Sequence, residues 1–142
     1  MTEYRQRSSK YRAQRTEYAG RKYDSKFEAS VARDLDIRLR AGEIAEVQPQ
    51  YQVVMTPCDE RGAPLPELAV RHRVDFRIRH LDGTYELIEA KGFETADYLM
   101  RRKWLLKLWL PRNPDHTYTV VKDRGRAWNL SKPRAGSSAR AK

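Results

Sequence analysis

Between residues 27 and 39 large apolar side chains recur every fourth position, at Phe27, Val31, Leu35 and Leu39, with Glu28, Arg33, Asp34, Asp36 and Arg38 among the residues between them. That spacing lays one apolar stripe along a helix. Ser25 is a good N-cap, Glu28 three residues later completes a Ser-x-x-Glu capping box, and Gly42 is a stop, so a helix is predicted over 26–41. Residues 49–55, with Tyr51, Val53 and Val54 among glutamines, read as a strand, and 57–66, with Gly62 and Pro64 between Pro57 and Pro66, as a loop. Residues 71–79 and 84–90 alternate as strands do, and Leu81-Asp82-Gly83 between them reads as a turn. An apolar-rich helix over 95–110, ended by Pro111, and a strand over 117–121 complete the chain. The order is αβββαβ, which predicts an α/β domain built on a mixed four-stranded sheet flanked by helices.

The hairpin register is the most informative feature of this pattern. A two-residue turn, Asp82-Gly83, would set Phe76 against Glu89 and Arg77 against Ile88, mixing apolar with charged at every pair. A three-residue turn with Gly83 in the left-handed conformation sets Phe76 against Ile88 and Val74 against Ala90, giving one apolar face. In that register Asp75 stands opposite Glu89 on the polar face, and Lys91, two residues further along, shares it. Facing carboxylates repel unless a cation or a proton relieves them. Oxygen ligands at this density suit a hard divalent ion such as Mg²⁺. Lys91 would offset part of the negative charge and could orient or deprotonate an attacking water. The plain alternative is a set of cross-strand ion pairs on a solvated face, Asp75 with Arg73 or Arg77 and Glu89 with Lys91.

Charge adds a second indication once it is located. The formal net charge is +10. Residues 1–22 carry seven Lys/Arg, including Arg21 and Lys22, against two acidic residues, and residues 122–142 carry seven against one. The middle of the chain is close to neutral. The expected organisation is therefore a basic arm (1–22), a folded domain (23–121) and a basic, largely disordered tail (122–142). Basic arms release counterions when they bind a phosphate polymer. Tyr4, Tyr11 and Tyr18, spaced by seven among the arginines, could stack on bases or form a helical stripe. On the second helix Arg101, Lys103 and Lys107 are candidate phosphate contacts, with Lys26 at the start of the first. The single cysteine, Cys58, forms no internal disulfide, and His72, His80 and His116 lack zinc-ligand spacing. No apolar run reaches the roughly 18 residues of a membrane span, and the first residues lack the apolar core of a signal peptide. A cytoplasmic protein without membrane contact is the expectation.

At Val74-Asp75-Phe76, followed after thirteen residues by Glu89-Ala90-Lys91-Gly92, the chain resembles the PD-(D/E)xK nuclease superfamily. That superfamily's restriction-endonuclease-like core has the same αβββαβ order, and the match covers residues 24–121. Tyr23-Asp24-Ser25-Lys26-Phe27-Glu28-Ala29, Gln48-Pro49-Gln50-Tyr51 and Lys91-Gly92-Phe93 are similar to small phage nucleases of the endonuclease I, or Holliday-junction resolvase, kind. The proline that usually precedes the Asp is replaced by Val74. The resemblance implies Asp75, Glu89 and the Ala90 carbonyl as metal ligands, with Glu28 assisting from the first helix and Lys91 positioning the water. It implies Mg²⁺, with Mn²⁺ able to substitute, and hydrolysis of DNA, with branched DNA cut by a homodimer. If phage-encoded, such an enzyme works in the host cytoplasm. A duplex or nicking endonuclease of restriction or transposition type, and a catalytically inactive nucleic-acid-binding module, are the alternatives. Glu28 is explained equally by the capping box.

Overall fold

The computed structural model describes residues 16–18, 20–23, 25–92 and 94–123. Most of the N-terminal arm, the tail beyond 123, Tyr4 and Tyr11 lie outside them, and so do the expectations placed on them.

Two short strands, β1 (Thr16–Tyr18) and β2 (Arg21–Tyr23), form an antiparallel ribbon. It begins inside the stretch read as a basic arm. Tyr18 packs against the core, and its hydroxyl donates to Asp36 Oδ2 at 3.1 Å. Helix α1 (Lys26–Arg40) follows, with Ser25 Oγ accepting from the Glu28 N–H at 3.1 Å. The helix closes on Gly42, whose φ of 73° only glycine adopts without strain.

The main sheet has the order β3 (Ile44–Met55), β4 (Val70–His80), β5 (Tyr85–Lys91), β6 (His116–Lys122). The first two junctions are antiparallel and β5–β6 is parallel, so the sheet is mixed, as the alternation of elements predicts. Strand β3 starts five residues before the expected position 49, because Ile44 and Val47 bury against α1. The expected second helix is shorter and less regular than its pattern suggests. Helix α2 (Ala96–Trp104), capped by Thr95, passes into a π-helical turn over Leu105–Trp109 and a 3₁₀ turn over Leu110–Arg112. No helix among the described residues is long and apolar enough to cross a membrane.

The β4–β5 turn follows the three-residue reading. His80 and Thr84 close it, Gly83 has φ 86°, and Phe76 pairs with Ile88. The pairing then stops. The expected Val74–Ala90 and Asp75–Glu89 pairs do not extend the ladder.

The reason lies one strand away. Gln50 has φ 56°, in the left-handed region, and it sits between the pairs Pro49↔Phe76 and Tyr51↔Val74. Neither strand gains a residue there, yet both change face. Val47, Phe76 and Ile78 pack with Ile88, Val121 and α1 in one core. Tyr51, Val53 and Val74 pack with Leu87, Leu105 and Trp104 in a second core on the opposite side. The expected single apolar face through Val74 and Ala90 is therefore corrected: Ala90 packs against the first core and Val74 belongs to the second. Asp75 stands at the crossover.

Candidate functional site

The crossover decides which side chains meet. Because β4 has peeled away from β5 beyond Phe76, Asp75 does not face Glu89 across a ladder. Its Oδ2 instead accepts a hydrogen bond of 2.7 Å from the backbone N–H of Ala90, at the peptide that follows Glu89. The carboxylate thus stands in for a missing strand partner and stays tied to the segment that carries Glu89 and Lys91.

Glu89 shares its side of the sheet with Leu87, and only 1% of it is exposed. Its Oε1 is hydrogen-bonded to His72 Nε2; with the carboxylate oxygen as acceptor, the ring nitrogen is the donor. Its Oε2 is buried with no hydrogen-bond partner, and Lys91 Nζ is 3.8 Å from it. The Lys91 ammonium also lies 4.5 Å from the centroid of the Tyr98 ring, which holds it by cation–π attraction. Tyr98 and Tyr118 share a hydrogen bond of 2.9 Å between their hydroxyls behind this group. Burial pushes both hydroxyls well above the ordinary tyrosine range, and the Glu89 carboxylate adds to the shift.

A stability prediction follows from these tyrosines. The folded chain keeps both protons above the ordinary value of 10.0, where the unfolded chain releases them. The folded state therefore binds more protons in that range, and stability falls as pH rises. An alkaline absorbance titration at the tyrosinate band is expected to show Tyr98 and Tyr118 ionising only as the protein unfolds. Smooth titration of all eight tyrosines in the folded state would contradict the burial argument.

Glu28 comes from α1. It is 5% exposed, and its Oε1 accepts from Gln50 Nε2 at 2.8 Å. The helix thus supports the strand at its left-handed residue, while the Ser25 cap bond runs to the Glu28 backbone. Gln50 lies within the Gln48-Pro49-Gln50-Tyr51 stretch already singled out, but nothing in the residue pattern marks its φ. In the sequence His72 is only a histidine without zinc spacing, and its contact with Glu89 depends on the change of face. Among the described residues no three His, Cys, Asp or Glu side chains are grouped as a metal site.

The basic candidates divide. Arg101 is paired with Asp97 at 3.1 Å. Lys103 and Lys107 are exposed and make no ion pair among the described residues, and Lys26 is exposed at the start of α1. Arg21 and Lys22 lie on β2, and their side chains are outside the description.

This chain belongs to the family described as a protein of unknown function, DUF1064, whose pattern matches residues 8–122. No curated protein and no solved structure matches it.

Proposed function

We propose that the chain is a Mg²⁺-dependent DNA endonuclease with a restriction-endonuclease-like core, acting on branched DNA such as a four-way junction as a homodimer. The observation that carries this reading is the buried Oε2 of Glu89, which lacks a hydrogen-bond partner and has the Lys91 ammonium 3.8 Å away, with Asp75 tied to the adjoining peptide. A buried anionic oxygen without a donor is costly, and a bound cation would relieve it. Oxygen donors are the right chemistry for Mg²⁺, which needs only one or two carboxylates beside water and phosphate. Glu89 and Asp75, with the Ala90 carbonyl, would hold the ion, with Glu28 assisting through the Gln50 segment. Bound there, Mg²⁺ would polarise the phosphoryl oxygen and acidify a water.

The protein's own groups would do the rest. Lys91, fixed between Glu89 and the Tyr98 ring, orients the attacking water and offsets negative charge. Tyr98 and Tyr118 stay protonated behind the ammonium. Lys103, Lys107 and Lys26 contribute exposed positive charge for the phosphate backbone, and the basic termini add counterion-release affinity. Two cuts across a junction require two copies of the site, and a two-fold symmetric dimer supplies them.

The full-length chain is expected to cleave a four-way junction in preference to a flap or linear duplex in Mg²⁺ or Mn²⁺, and Asp75→Ala to remove the activity. Preferential cutting of duplex would move the protein to the restriction or transposition type. Salt-sensitive DNA binding with no cleavage of any substrate at any metal concentration would leave a binding module.

A further inference from the structure

His72 lies three residues before Asp75, and on an unbroken strand these two would point to opposite faces. The change of face at Asp75 places His72 and Val74 on the side of Leu87 and Glu89. His72 is 4% exposed, and its Nε2 donates to Glu89 Oε1 across the gap left where the β4–β5 pairing stops at Phe76. Its ring packs near Tyr98, with centroids 6.1 Å apart, so the same tyrosine borders both His72 and Lys91.

We infer that His72 is a positioning residue for Glu89: by occupying Oε1 it fixes the carboxylate so that Oε2 stays turned toward Lys91, where it would hold a divalent cation. The inference rests on the endonuclease reading and names a part of that site which neither the strand alternation nor the acid–lysine pattern contains. Core packing alone is a poor reason for this pair. Well-packed apolar residues in place of both partners of a buried hydrogen-bonded pair are often neutral or stabilising. A carboxylate with one oxygen held and the other open is instead what a metal ligand needs, since partners behind ligands set their orientation.

The test is Mn²⁺ affinity of the full-length chain, measured by loss of the free-ion electron paramagnetic resonance signal. Glutamine can present an N–H near the position of the His72 Nε2, asparagine falls short of it, and leucine offers none. Relative to the unaltered chain, His72→Gln is expected to bind Mn²⁺ within about 3-fold, and His72→Asn and His72→Leu to bind ~10–100-fold more weakly. The melting temperature of His72→Asn should stay close to that of His72→Gln, and kcat for cleavage should fall with KM for DNA unchanged. If His72→Leu does not fold, the Asn and Gln pair still decides. Equal Mn²⁺ affinity in His72→Asn and His72→Gln would overturn the inference and leave the endonuclease reading intact. An unaltered chain that binds no Mn²⁺, or binds it as well after Asp75→Ala, would overturn the reading itself.

Discussion

Glu89→Gln is expected to reduce Mg²⁺-dependent cleavage by about 10³-fold or more while raising the melting temperature. Cation-mediated charge stabilisation is worth several kcal/mol in a transition state, and each ~1.4 kcal/mol is a factor of ten in rate. The amide keeps an acceptor for His72 but removes the charge that would attract the ion. Stability should move the other way. In the unaltered chain Oε2 is buried without a hydrogen-bond partner, with the Lys91 ammonium 3.8 Å away. Leaving a buried polar atom unsatisfied costs about 1–3 kcal/mol, and neutralising it recovers part of that. Opposite signs in the two assays are the mark of a residue kept for chemistry at the expense of the fold. If Glu89→Gln loses stability and activity together, Glu89 is a structural partner of His72. If it cleaves normally, the metal reading of Glu89 is wrong.

How far such a site can be read from the chain alone depends on where its regularity breaks. Helix α1 was legible because the apolar stripe, the Ser25 cap and the Gly42 stop agree on the same residues. The β4–β5 register was legible because a one-residue slip would bury charge, so the apolar pattern admits only the turn with Gly83 left-handed. Two features left no trace. The start of β3 is irregular between Ile44 and Glu46, so Ile44 and Val47, three apart, both reach the first core and simple alternation is lost. The change of face at Gln50 and Asp75 is hidden for the opposite reason. Val47, Pro49, Tyr51 and Val53 keep a perfect alternation straight through it, because a single left-handed residue turns the strand over without adding to it. The residue pattern therefore singles out Asp75, Glu89 and Lys91, while the crossover that sets how they lie, and the contact of His72 with Glu89, are not legible in it. In the same way the pattern over 95–110 reads as one helix, since a π-helical turn changes hydrogen bonding without changing which residues are apolar.

Asp75 offers the second large effect, and it separates the two jobs the crossover gives this residue. Asp75→Asn retains a side-chain oxygen able to accept from the Ala90 N–H, the bond of 2.7 Å that spans the splayed strands. It loses the charge. Cleavage is therefore expected to fall by ~10³-fold or more, with unfolding free energy within about 1 kcal/mol of the unaltered chain. Asp75→Ala removes the acceptor as well, leaving the Ala90 N–H without it, and should cost a further ~1–3 kcal/mol. Denaturant unfolding of the two variants beside a cleavage assay makes the comparison. Equal stability of the two would mean that the Ala90 bond is not what holds β4 to β5 at the crossover. A cleaving Asp75→Asn would mean that this carboxylate's charge is dispensable, and the structural role would then be the whole of its function.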